Sequence, residues 1–273
     1  MNNTFDINRF GLLLRRQWLE FGKIYLITLG VAFGVIASFY LFNLWNTFFV
    51  YDEKFLVSVN FREPLFIIFG FLFITVIASN YYANLGQKSK TIIELLLPAS
   101  TFEKFLAGVF FTAILSVTGY MVVFYIADLI FMSKLREMIP ESTTGRIYSF
   151  DMNSEKVTVD VYGYIFDTLK RGMLLPFYAV PFFVTSIFLL GSIYFNKYHY
   201  IKTAVSVMLF SGLAGYIIVH AGEYIMRNRR PIEINGFHFG KSSDMELLVL
   251  LIAIVLTIVF WAITYVRVKE KEV

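Results

Sequence analysis

Three histidines, His199, His220 and His238, and no cysteine are what the chain offers toward metal chemistry. None of the three stands in an H-E-x-x-H or comparable ligand spacing. Without thiols, disulfides, iron–sulfur clusters and thiolate zinc sites are excluded. His220 and Glu223, three residues apart, read as a hydrogen-bonded interfacial pair before a metal or proton site. His199, in the short turn KYHYIK, reads as solvated. The stretch GFHFGKS (Gly236–Ser242) approaches a phosphate-binding loop. That pattern needs four residues between its first glycine and the Gly-Lys pair, and here there are three. No serine–histidine or paired-acid constellation points to hydrolysis. The chain is therefore expected to be no enzyme and to bind no cofactor or metal itself; if ATP is used, another chain supplies the site.

Two polar features inside apolar chain carry more. The first is ELLLPASTFEKFL, Glu94–Leu106. Pro98 disfavours a helical Leu97 and ends whatever helix precedes it. Ser100 and Glu103 have capping-box spacing, in which the serine oxygen accepts from the Glu103 amide and the glutamate reaches back to the Ser100 amide. Upstream, Lys88–Leu97 has room for about three helical turns. Ile92, Ile93, Leu96 and Leu97 would form its apolar face, and Lys88, Lys90, Thr91 and Glu94 its exposed one. Ser243 and Glu246 repeat the box further on. The second feature is Asp128, an acid within an apolar run. Ionisable groups in hydrocarbon are costly and face protein or water. Asp128 could line a substrate or ion path, or be an acid near the interface paired with Lys134 or capped by water.

The elements that position these residues follow from composition. Of 273 residues, 58% are hydrophobic and 16% charged, against roughly 25% charged in a soluble domain. Several runs reach the roughly 20 apolar residues that cross a bilayer. The chain reads as an all-α polytopic membrane protein with six spans: Ile24–Trp45, Leu65–Ala83, Phe105–Met132, Met173–Phe195, Thr203–Ala221 and Leu247–Val266. The third is long enough to tilt or protrude, and Pro176 and Pro181 should kink the fourth near its start. No cleavable signal peptide is evident, because the first apolar run begins late and no small-residue site follows it.

With the N-terminus inside, segments 1–23, 84–104, 196–202 and 267–273 hold 12 basic and 6 acidic residues. The outer segments 46–64, 133–172 and 222–246 hold 12 basic and 13 acidic residues, over a greater total length. The denser basic residues place both termini in the cytoplasm, although RNRR (Arg227–Arg230) dissents. This spread of charge marks topology and gives no nucleic-acid footprint. Residues 1–23 form the first domain: Asp6–Lys23 carries Phe10, Leu13, Leu14, Trp18 and Phe21 on one face and Arg9, Arg16, Glu20 and Lys23 on the other. Such a helix can lie in the headgroup plane as an interfacial amphipathic helix, or extend span one into solvent. Residues 24–273 form the transmembrane domain. Its external loops carry strand signals at Phe55–Phe61, Lys156–Tyr164 and Pro231–Phe239, the last with an Asn-Gly turn. Small β-hairpin elements, pairing among loops as an outer cap, are expected.

The order of an interfacial helix, two spans, then a short cytoplasmic helix running into LLLPASTFEKFLAGVF resembles the membrane subunit of the ABC-2 type of ABC transporters. Leu97–Phe105 carries most of the likeness, while the layout covers the whole chain. The resemblance implies a permease in the bacterial cytoplasmic membrane, paired with a second permease subunit as a homo- or heterodimer. It also implies a separate ABC ATPase subunit, which binds the ATP, and export before import. Segment 84–104 would then be the coupling segment, with Lys88, Lys90, Thr91, Glu94, Pro98, Ser100, Glu103 and Lys104 meeting the ATPase or relaying its movement. The polar, hairpin-like connection between spans five and six departs from the family's re-entrant apolar helices, and the loop after span three is long. The alternative is a non-transporting scaffold or sensor that binds a ligand or envelope partner through its external loops.

Overall fold

The computed structural model describes residues 5–49, 59–83, 99–138, 146–150, 156–160, 163–166, 175–195, 197–226 and 242–272. Six helices are long and apolar enough to cross a membrane, one for each expected span. They are α1 (Ile7–Phe49), α2 (Arg62–Tyr81), α3 (Thr101–Met138), α4 (Val180–Tyr194, reaching membrane length together with the turn ahead of it as Pro176–Tyr194), α5 (His199–Met226) and α6 (Ser242–Glu272). The chain divides into two compact units. One unit holds Met1–Asp6, Thr75–Ala113 and Leu175–Val273; the other holds Ile7–Ile74 and Ile114–Leu174.

The separate interfacial helix over residues 1–23 is not formed. α1 runs unbroken for 43 residues, roughly 65 Å at 1.5 Å per residue. Amphipathic spacing decides which face of a helix is apolar; it does not bend one. A bend needs a proline, a paired glycine–serine or a bulge, and residues 20–26 offer only Gly22. There the Trp18 ring lies 3.0 Å from where a Cβ would stand, so the glycine serves close packing along an unbroken helix. Leu13, Gln17 and Tyr25 continue as its buried face.

In the second unit α2 and α3 run antiparallel through aromatic contacts. Phe66 meets Phe124 edge-on at 5.0 Å, and the Tyr120 hydroxyl donates to the Phe66 carbonyl at 2.9 Å. Gly70 makes room for Tyr120, whose ring lies 2.8 Å from a built Cβ. α3 does not stay α-helical throughout: Phe110–Leu115 widens into a π-turn. Tyr25 of α1 donates its hydroxyl to the Leu115 carbonyl at 2.7 Å. Gly119, one turn on, leaves the space that the Tyr25 hydroxyl occupies. The long third span is thus a 38-residue helix with one wide turn in it.

In the first unit, the prolines of the fourth span do not kink a continuous helix. Leu175–Tyr178 is a 3-10 turn, and α4 begins afresh at Val180 with Pro181 in its first turn. A missing amide costs nothing there, because the first amides of a helix have no internal partner. α4 returns into α5 through Tyr198, whose φ of 56° supplies the reversal. α4 and α5 approach closely where Gly191 faces Thr203, whose Cγ2 lies 2.7 Å from a built Cβ. Few residues of α5 and α6 are fully buried, and Ile201, Met208, Leu209, Leu251 and Val255 among others point away from the rest of the chain, although α6 also packs on α4 through Phe183 and Phe260. Apolar faces left open on helices of this length are the kind of surface that lipid covers.

Among the described residues, one strand pair occurs. β1 (Arg146–Phe150) and β2 (Lys156–Asp160) run antiparallel, with Tyr148 opposite Thr158. Both strands come from the loop between α3 and α4, so the expected pairing between loops is not what joins them. At Phe55–Phe61, Asn60 and Phe61 form a turn leading into α2, while 55–58 and the Asn-Gly stretch 231–239 lie outside the described residues.

Candidate functional site

Helix α3 begins at Thr101 with the expected capping box in place. The Glu103 amide donates to Ser100 Oγ at 3.2 Å, and the Ser100 amide donates to Glu103 Oε2 at 2.9 Å. The second carboxylate oxygen is also used. Glu103 Oε1 accepts from the backbone N–H of Asp6 at 2.9 Å, one residue before α1. Glu103 is fully buried although it is an acid on the first turn of a helix. Carboxylates there are favoured because helix-start amides point at them and carry partial positive charge. One side chain therefore fastens two helix starts. Sequence spacing found the box; nothing in it marked Asp6 as the third member.

Aromatic contacts widen this seam. Phe5 meets Phe102 at 6.1 Å, and both Phe102 and Phe105 meet Tyr265 of α6, at 6.2 and 5.6 Å. The Tyr82 hydroxyl donates to the Lys104 carbonyl at 3.2 Å, and its ring fills the space over Gly108. Near the end of α6, Lys271 Nζ donates to the Ile193 carbonyl at the end of α4. The start of the chain, the start of α3 and the ends of α4 and α6 thus gather at one end of this unit. Even-numbered crossings bring them there, as six spans require. Lys88, Lys90, Thr91, Glu94 and Pro98 lie outside the described residues.

Asp128, in the other unit, is the second polar centre. It is 0% exposed, and Arg62 beside it 3%. Asp128 Oδ1 accepts from the Tyr40 hydroxyl at 2.7 Å and from Arg62 Nη1 at 3.1 Å, while Oδ2 accepts from the Ile165 amide at 2.8 Å. Arg62 Nη1 also donates to the Gly163 carbonyl at 2.9 Å, and Nε to that of Val59 at 3.3 Å. Three helices and the loop segment 163–166 are knotted around one carboxylate. Lys134, the partner considered from sequence, pairs instead with Glu137 at 3.0 Å on the exposed face. Arg62 and Tyr40 were not singled out. The signal available was the rule that a buried acid needs a cation, with Arg62 among the few cations near that end.

The remaining candidates stay apart. His220 stacks on Tyr216 with centroids 4.1 Å apart. The side chain of Glu223, His238 and the GFHFGKS stretch as far as Lys241 fall outside the described residues. His199 is half-buried at the first turn of α5, not solvated as expected, and its Nδ1 is covered. Among the described residues no group of three metal-ligating side chains forms.

Fold and polar centres together define a class, a multi-pass membrane protein with two buried carboxylates, Glu103 at a helix start and Asp128 within α3. No family model, curated protein or solved structure matches the chain.

Proposed function

We propose that this chain is the membrane-spanning permease subunit of an ABC-2-like, ATP-driven exporter in a bacterial cytoplasmic membrane. A second permease subunit pairs with it, and a separate ATPase subunit binds and hydrolyses the ATP. The observation that carries this reading is the double use of Glu103. The segment just ahead of it, Lys88–Leu97, is where an ATPase would push. Ser100 and Glu103 join that segment's exit to α3 and, through the Asp6 amide, to the start of α1. Phe102 and Phe105 add α6 through Tyr265. A displacement applied there would reach the start of α3, the Asp6 backbone and α6 together, which a passive connection does not require.

The test is purification of the tagged native protein in mild detergent, scored for a co-purifying ATPase and for ATP turnover. A stoichiometric ATPase should appear and be lost when 88–97 is scrambled in a variant that still inserts. Charge reversal at Lys88, Lys90 or Glu94 should uncouple hydrolysis from transport. No ATPase with the native protein would remove the reading.

A second reading, a scaffold or sensor, is favoured by the anchoring of loop 163–166 to Asp128. A ribbon carried on a loop so fixed is a suitable recognition platform. Replacing residues 146–160 by a short linker, leaving Gly163 and Ile165 intact, separates the two. Loss of function with normal insertion and normal ATPase coupling favours recognition.

A further inference from the structure

Where α4 ends and α5 begins, three cations converge on one three-residue stretch. Lys271 Nζ donates to the Ile193 carbonyl at 2.8 Å. The Arg267 guanidinium lies over the Tyr194 ring at 5.5 Å, and the Lys202 ammonium over the Phe195 ring at 5.7 Å. Arg267 and Lys271 are one helical turn apart on α6, where like charges repel. Lys197 and Lys269 stand exposed nearby in sequence. Against them stand two acids in the sequence of this helix end, Glu270, which takes one bond from Arg267 at 2.7 Å, and Glu272.

An arginine carries five N–H donors and a lysine three. The hydrogen bonds formed here use one from Arg267 and one from Lys271. Donors are left over at a place where apolar helices end. Beside them Tyr194 and Tyr198 are exposed, the interfacial positions that amphipathic rings favour. Along α5, Ile201 beside Lys202, then Val205 and Met208, recur at helical spacing and are 59%, 49% and 71% exposed. That apolar stripe covers about two helical turns, roughly 10 Å, starting beside Lys202.

We infer that this corner is a binding site for an anionic phospholipid. Its phosphate is held by Lys202, Arg267 and Lys271, and an acyl chain lies along Ile201–Val205–Met208. The recognising chemistry is a phosphate anion at the membrane boundary; the apolar stripe selects the lipid over a soluble phosphate. The inference stands independently of ATP coupling.

The test uses the full chain in detergent, titrated with phosphatidylglycerol, with phosphatidylcholine of the same acyl chains, and with glycerol phosphate. Bound species are counted by native mass spectrometry. A cation near an anionic membrane surface contributes about fivefold in affinity, so phosphatidylglycerol should be preferred by at least tenfold. The variant K202Q/R267Q, which spares the Lys271 bond, should lose most of that preference, and K202Q alone part of it. K134Q, neutralising an exposed lysine elsewhere, should keep it. Equal binding of the two lipids, or a preference unchanged in K202Q/R267Q, overturns the inference. So does occupancy by glycerol phosphate equal to that by phosphatidylglycerol, which would make this a soluble-phosphate site. Retention of an acidic protein there in place of lipid would overturn it too.

Discussion

Arg62→Met is the most discriminating single change. It removes the cation from a carboxylate that is 0% exposed and leaves Asp128 with only the Tyr40 hydroxyl and the Ile165 amide. Stripping one partner from a buried ion pair costs about 3–5 kcal/mol, because the remaining charge cannot recover its solvation. Tyr40→Phe removes one bond to a charged acceptor and should cost about 1.5–3 kcal/mol. The double variant R62M/D128N discharges the site. Its cost should fall short of the sum of the singles by about 1–3 kcal/mol, the size of coupling between groups in contact. An internal control is at hand in Lys134–Glu137, whose side chains are 62% and 68% exposed. Lys134→Met should cost no more than about 1 kcal/mol, as exposed pairs do. The assay is reversible unfolding of the detergent-solubilised chain in graded SDS, read from tryptophan emission. If Arg62→Met unfolds within about 1 kcal/mol of wild type, no further from it than the surface control, the knot does not hold the unit together. Additivity in the double variant would refute the pairing itself.

Ser100→Ala should cost about 1 kcal/mol, the usual value of a lost N-cap, and deprotect the first-turn amides of α3 in hydrogen exchange. Glu103→Ala should do more, exposing the Asp6 amide as well, since both lose their acceptor; unchanged exchange at Asp6 would dissociate the two helix starts. Gly191→Ala should cost about 1–3 kcal/mol by overpacking, because the added methyl meets Thr203 Oγ1 and Cγ2. Thr203→Ala should relieve part of that penalty, while Gly212→Ala and Gly215→Ala, with open space around them, should be neutral in thermal unfolding.

Six spans were legible because their signal is summed over some twenty residues and no soluble alternative competes for it. Their neighbours were not. A residue packed on another helix and one facing outward are equally apolar, so Phe66 and Phe124, which touch, look no different from Met208 and Leu209, which are largely exposed. The capping box at Ser100 was legible since its geometry is local, spanning four residues. The pairing of Asp128 with Arg62 was not, because 66 residues separate them and each has nearer oppositely charged residues in sequence. The interfacial helix was misread for a different reason. Its periodicity is real, but the same periodicity serves an unbroken helix whose lower turns pack through Leu13 and Gln17. The alternation in 156–160 was visible, whereas its partner RIYSF carries no turn signal of its own and becomes a strand through pairing.

Both polar centres of α3 share a logic that the apolar surroundings impose. Backbone amides at a helix start have no internal acceptor, and in a dry environment water cannot replace one. A carboxylate with two oxygens can serve two such amides from different segments, as Glu103 serves Ser100 and Asp6, or an amide and a cation, as Asp128 serves Ile165 and Arg62. Hydrophobic packing alone would let helices slide, because one apolar contact substitutes for another at little cost. A buried carboxylate does not allow it: a shift of one segment strands an acceptor, or an amide, without its partner. Each centre therefore fixes the register of its own unit at the point where chain enters or leaves the helices. These are the places where polar substitutions should be felt most.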